Sequence, residues 1–191
     1  MAILDIRGTH GSGKSYIPHQ IIKAAREKPE TVPLTLRKGQ DPNSEKEGVL
    51  IVSLRLAIVG LYDRTCGGCD GIKTADEVCR RTRQFASIFK NVMLEGILVA
   101  HTFKRYAALA EELKERNYKF CFLDTPLDVC IKRVVDRRAA KGKTGYFDPK
   151  NVEKDYHRIW ERLRFDCINA GLTVVILDHR DPLPQIYEEL D

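Results

Sequence analysis

No apolar run in the 191 residues approaches the roughly 20 needed to cross a bilayer, so a membrane-spanning helix is not expected. The opening residues, Met1-Ala2-Ile3-Leu4-Asp5, lack a basic stretch ahead of an apolar one and run straight into a core-like strand. That argues against secretion and for a cytoplasmic protein. Six cysteines without a secretory context, in a chain too large to need disulfides, read as reduced thiols. Repeats and low-complexity segments are lacking, which excludes solenoids and extended linkers. Charge of one sign is also scarce: 32 basic against 27 acidic residues leave a net +5, too mild to prove a nucleic-acid partner. With 43% hydrophobic and 31% charged residues, the chain reads as a single globular domain over 1–191.

What is present is a rhythm of strands and helices. Residues 3–8 read as a buried strand, and Ser12 to about Lys28 as a helix with Ile17, Ile21 and Ile22 inward. From Glu30 to Gly48 the composition suggests an irregular or hairpin excursion, and Val49 to Tyr62 one long strand or a hairpin. A glycine-rich loop then leads into a helix with Thr74 as N-cap, Glu77 three residues on, and an end near Lys90. Two further buried strands end around Glu95 and at Asp124, with a polar-faced helix, Arg105 to Asn117, between them. A basic helix spans Asp128 to about Lys141, and Asp148-Pro149 opens another that runs to Asn169 and stops at Gly171. "LTVVILD" is a last strand and Pro184 to Leu190 a closing helix. Such alternation argues for a parallel sheet covered on both faces.

The stretch "GTHGSGKS", Gly8 to Ser15, matches the phosphate-binding pattern Gly-x-x-x-x-Gly-Lys-Ser/Thr between a strand and a helix. Gly8, Thr9, His10, Gly11, Ser12 and Gly13 form a loop whose glycines let backbone N–H groups converge where a Cβ would obstruct. Lys14 supplies mobile positive charge for ATP phosphates and Ser15 a hydroxyl for Mg²⁺. A metal-phosphate site also wants a carboxylate at the end of a neighbouring strand. Glu95 and Asp124 both qualify; Glu95 is preferred because Asp124, in "DTPLD", suits a helix cap. In "CIKRVVDRRAAKGK", Arg133 and Arg137 share a helix face, Arg138 lies beside them, and Gly142 and Gly145 permit movement. A solvated basic face is the plain alternative.

These pieces resemble the nucleoside and nucleotide kinase branch of P-loop proteins. The resemblance covers about residues 1 to 180. It implies a three-layer α/β fold with a five-stranded parallel sheet in the order 2-3-1-4-5, helices on both faces, and a basic lid at about 133–147 over ATP. It also implies that Arg133 lies against the adenine, that Arg137 and Arg138 approach the phosphates, and that Asp178-His179-Arg180 flank the base. The combination "RGTHGSGKS", "YDRTCGGCDGIKT", "LEGILVAHTFKRY" and "FLDTPLDVCIKRVVDRR" is similar to small bacteriophage P-loop kinases. Some of those are associated with thymine hypermodification and phosphorylate the hydroxymethyl group of 5-hydroxymethyluracil in DNA. DNA containing a hydroxymethylated pyrimidine is the partner this implies.

A kinase acting on a hydroxyl benefits from a carboxylate beside the attacking oxygen. Within an acceptor-side insertion at about 63–90, Asp63 and Asp70 are the candidates, and the phage likeness centres on the segment that holds Asp70. Cys66 and Cys69 invite a zinc reading, but no second ligand pair follows at the usual spacing, so loop packing is the expectation. For a DNA acceptor, Arg64, Lys73, Arg80, Arg81 and Arg83 lie on the acceptor side, and "HTFKRY" adds Phe103, Lys104, Arg105 and Tyr106. Tyr156 and Trp160, in "YHRIWERLRF", have the spacing of a buried helix face. Two rivals stay open: a kinase for a free nucleoside, nucleotide or other small metabolite, and an ATP-binding switch or ATPase without a specific acceptor.

Overall fold

Strand β1 (Ala2–Arg7) presents Ile3 to one face and Leu4 and Ile6 to the other, so both faces have to be covered, and the strand is buried along its whole length. The structure is a computed structural model that describes residues 1–27, 33–39, 43–63 and 68–191. Around β1 lie β2 (Leu34–Arg37), β3 (Lys46–Ile51), β4 (Leu56–Val59), β5 (Asn91–Glu95), β6 (Tyr118–Leu123) and β7 (Val174–Leu177), in the order β2-β3-β4-β5-β1-β6-β7. Neighbours from β4 to β7 pair in parallel, whereas β2–β3 and β3–β4 are antiparallel. The expected all-parallel sheet of five strands is therefore corrected to a mixed sheet of seven. The polar stretch from 30 to 48 supplies β2 and the start of β3, and Val49 to Tyr62 turns back as a hairpin through Val52–Leu54.

Alternation along β1 assigns its side chains to two cores. Ile3 joins α2 (Ala75–Ile88) and α4 (Lys104–Glu112) through Val78, Phe85, Tyr106 and Leu109. Leu4 and Ile6 join α1 (Tyr16–Arg26) and α8 (Leu183–Leu190) through Ile17, Ile21, Ile186 and Leu190. This makes three layers. At about 1.5–3 kcal/mol for each large apolar side chain removed from water, these two cores are the main force closing the sheet between its helices.

Beneath the first loop, two charged residues of β1 are sealed into the core. Arg7 donates through Nε and Nη2 to Asp5 at 3.1 and 2.8 Å, and the Tyr118 hydroxyl donates to Asp5 at 3.1 Å. The guanidinium lies over the rings of Phe120 and Tyr106. Its Nη1 donates to the Thr102 carbonyl at 3.3 Å.

α2 begins as read, with Thr74 Oγ1 accepting the Glu77 N–H at 3.2 Å. β5 ends at Glu95 as read, and after Gly96 comes a short helix that was not expected, α3 (Ile97–His101). The basic helix is α5 (Leu127–Ala139). The long helix expected from Asp148 to Asn169 is α6 (Lys150–Tyr156), a π-helical segment His157–Leu163, and α7 (Arg164–Asn169). Trp160 packs partly buried against the core while Ile159, Leu163 and Cys167 are buried outright. Among the described residues no helix is long and apolar enough to cross a membrane.

Candidate active site

The loop after β1 depends on two left-handed glycines, Gly11 at φ +80° and Gly13 at φ +101°. At Gly11 a Cβ would sit 2.3 Å from the Cys130 carbonyl oxygen of α5, so only glycine admits that approach. The loop delivers Lys14 and Ser15 to a cleft of about 370 Å³ whose walls include His10, Asp70, Ile97, Arg133 and Arg137. Lys14 is buried and donates to the Thr9 carbonyl at 3.2 Å. Burial holds its ammonium below the usual value, opposed by the negative charges of Glu95 and Asp70.

Glu95 lies behind Ser15 at the end of β5. Its Oε2 accepts from Ser15 Oγ at 3.0 Å and its Oε1 from the Tyr62 hydroxyl at 3.2 Å. Burial pushes the carboxyl up to about 7, against the charge of Lys14 and the Ser15 hydrogen bond. A buried carboxylate bonded to a half-buried hydroxyl, beside a buried ammonium, has the donor chemistry a Mg²⁺-phosphate group requires. Gly68 makes the arrangement possible: a Cβ there would fall 2.2 Å from Glu95 Oε1, and its φ is +70°. Asp124, the other strand-end carboxylate, is engaged elsewhere, accepting from the backbone N–H and Nδ1 of His179 at 2.8 and 2.9 Å.

Asp70 follows Gly68 in the same turn and faces the cleft. Its Oδ1 accepts the N–H groups of Ile97 and Leu98 at 2.7 and 3.3 Å, which tethers the start of α3. Asp63 is exposed and is not among the cleft's walls. Arg133 donates to the carbonyls of Ser12 and Gly11 at 3.1 and 3.4 Å, and Arg137 projects into the cleft. Arg138 instead stacks on Phe147, so the structure separates it from its two neighbours. On the far side of Gly13, a second hollow of about 310 Å³ is walled by Tyr16, Leu123, Arg133, His179 and Arg180, which places two of the three expected base-flanking residues there.

Other readings change once side chains meet. Arg80 pairs with Glu47 and Glu77, Arg81 with Glu45 and Glu77, and Arg83 with Glu112, so the basic residues of α2 are neutralised within the protein. Cys69 is buried, its thiol raised well above the usual range by burial and by the charge of Glu95; Cys66 and Arg64 lie outside the described residues. Sequence reasoning missed Tyr62 and also Asp155, which lies 3.5 Å from His10 Nε2 and 3.1 Å from His101 Nε2. No local signal marks either, since both act across elements.

A parallel strand, a glycine loop around a buried lysine, and a strand-end carboxylate bonded to the loop serine define a P-loop nucleotide-binding protein. No protein-family model matches the chain. Curated relatives do: a 5-hmdU DNA kinase of Pseudomonas phage PaMx11 is 32% identical over 182 residues, covering 92% of this chain and 90% of that protein. The 5-hmdU DNA kinase of Bacillus phage SP10 is 27% identical over 74% of this chain, which spans 22% of that longer protein. That of Delftia phage PhiW-14 is 26% identical, covering 98% and 72%. The chain belongs to the 5-hmdU DNA kinase family, and it is a kinase.

Proposed function

We propose that this kinase transfers the γ-phosphoryl of ATP to the 5-hydroxymethyl group of 5-hydroxymethyluracil in phage DNA, in the host cytoplasm. One observation carries the reading: Lys14 and Asp70 line the same cleft, which supports a phosphate grip and an acceptor carboxylate serving one substrate. The amides of Gly8 to Lys14 and the Lys14 ammonium would hold the phosphates, and Ser15 with Glu95 would hold Mg²⁺, which would supply charge neutralisation at the phosphoryl oxygens. Arg137, on a lid at about 133–147, neutralises charge that gathers on the transferring group, and Arg133 borders the base hollow. Asp70 orients the acceptor hydroxyl and takes its proton through Oδ2, the oxygen left over when Oδ1 holds α3.

A target base inside a duplex must leave the stack to reach such a cleft. The relatives' names support DNA as the acceptor, and the walls of the cleft support an alcohol in attack position. The test is mass spectrometry of nucleosides released from 5-hydroxymethyluracil DNA after incubation with the protein and Mg·ATP, with free 5-hydroxymethyldeoxyuridine in parallel. One added phosphate on the base from DNA is expected. Phosphate on the free nucleoside alone identifies a metabolite kinase, and ATP hydrolysis without phosphorylated product identifies an ATPase.

A further inference from the structure

A groove of about 810 Å³ outside the cleft runs between the α3–α4 junction and the π-helical segment. Phe103, Lys104, Lys154, Arg158 and Arg162 line it, with Asp166 as an acidic member. Lys104, Lys154 and Arg162 are exposed, and their side chains make no hydrogen bond or ion pair among the described residues, unlike the neutralised arginines of α2. Arg158 is anchored on the His101 carbonyl at 3.1 Å. His157, at the rim, is occupied by Glu161 at 2.7 Å. Unpaired cations converging on a groove, with an aromatic at one end, suit a polyanionic strand.

The groove's position fixes which strand. Ile97, at the start of α3, lines the active-site cleft, and His101, at its end, lines the groove. At 1.5 Å of rise per residue the two lie about 6 Å apart along the helix axis, close to one nucleotide step of an extended backbone. π-helical turns are rare and recur at functional sites, and this one turns Arg158 and Arg162 onto the same wall as Lys154.

We infer that this groove binds the phosphodiester backbone flanking the target nucleotide and so presents the displaced base to Asp70. The inference rests on DNA being the acceptor, as proposed above. Phosphate contacts of this kind position a substrate without reading sequence.

The experiment compares the intact protein with a Lys104→Ala, Lys154→Ala, Arg162→Ala variant by fluorescence anisotropy on a labelled duplex carrying 5-hydroxymethyluracil, across a salt series. Steady-state phosphorylation of the same duplex accompanies it. With three phosphate contacts gone, affinity falls about 10- to 100-fold and the slope of log affinity against log salt shrinks by about three. KM for DNA rises in step, whereas kcat at saturating DNA changes little. An unchanged melting temperature and ATP affinity certify the fold, and the double variant of Lys154 and Arg162 repeats the test on two exposed helical positions. DNA affinity and salt slope equal to those of the intact protein overturn the inference, as does a fall confined to kcat. If the intact protein leaves the modified base unphosphorylated, the proposed function fails, and the anisotropy comparison still decides the groove.

Discussion

Replacing Glu95 with Gln separates what the active site needs from what the fold prefers. The carboxyl has an ordinary value of 4.5 and is pushed up to about 7 by burial. Below 4.5 it is protonated in both folded and unfolded chains and adds nothing. Between 4.5 and about 7 the unfolded chain ionises first, so the folded state holds the extra proton and stability falls as pH rises. Above about 7 the full cost of burying the charge is present. At about 1.36 kcal/mol per pH unit, that gap amounts to about 3 kcal/mol as an upper bound. For a chain of this size it corresponds to about 6–12 °C in melting temperature. Glu95→Gln is therefore expected to melt higher than the unaltered protein at pH 8, to converge with it toward pH 4.5, and to lose Mg²⁺-dependent phosphoryl transfer. Thermal unfolding without nucleotide from pH 4.5 to 8.5, paired with a radiolabel transfer assay, reads both quantities. A melting difference independent of pH, or a variant that turns over normally, refutes the reasoning.

Asp70→Asn keeps an oxygen to hold the N–H groups of Ile97 and Leu98, so the melting temperature should stay near that of the unaltered protein while kcat drops by about 10²–10⁴. Asp63→Asn in the same assay should turn over normally, and equal losses at both positions would contradict the assignment. Arg137→Ala is expected to lower kcat by about 10²–10³, the scale for one preorganised charge donor, whereas Arg138→Ala, whose partner is Phe147, should not. Gly11→Ala forces a Cβ to within 2.3 Å of the Cys130 carbonyl at a positive φ, and loss of nucleotide binding by calorimetry is the expected outcome.

The phosphate loop was legible because each of its residues answers a local demand: glycines for N–H convergence, a lysine for charge, a hydroxyl for metal. Thr74 and Glu77 were legible for the same reason. α3 was hidden because the β-branched Ile97 and Val99 favour a strand, and the carboxylate that accepts the helix's first N–H groups, Asp70, lies 27 residues upstream. The antiparallel strands were legible only as a hairpin alternative, because β2 is four residues long and half-exposed, too short for periodicity to decide. Charge was the hardest to read. The arginines of α2 and of the groove look alike in sequence, and only folding pairs the first set with Glu45, Glu47, Glu77 and Glu112. The preference for Glu95 over Asp124 followed from the absence of a capping duty, and the structure gives Asp124 a different duty, holding His179.

The sealed pair at Asp5 and Arg7 constrains how this gene can wander. Losing either partner alone strands an ion in the core, at about 3–5 kcal/mol, while exchanging both for well-fitted apolar groups is close to neutral. Two viable versions of the strand thus face each other across a gap that single nucleotide changes seldom bridge. Since Arg7 also props the Thr102 carbonyl, lineages that do cross are expected to carry compensating changes around residue 102, a correlated pair far apart in the chain yet bonded in the fold.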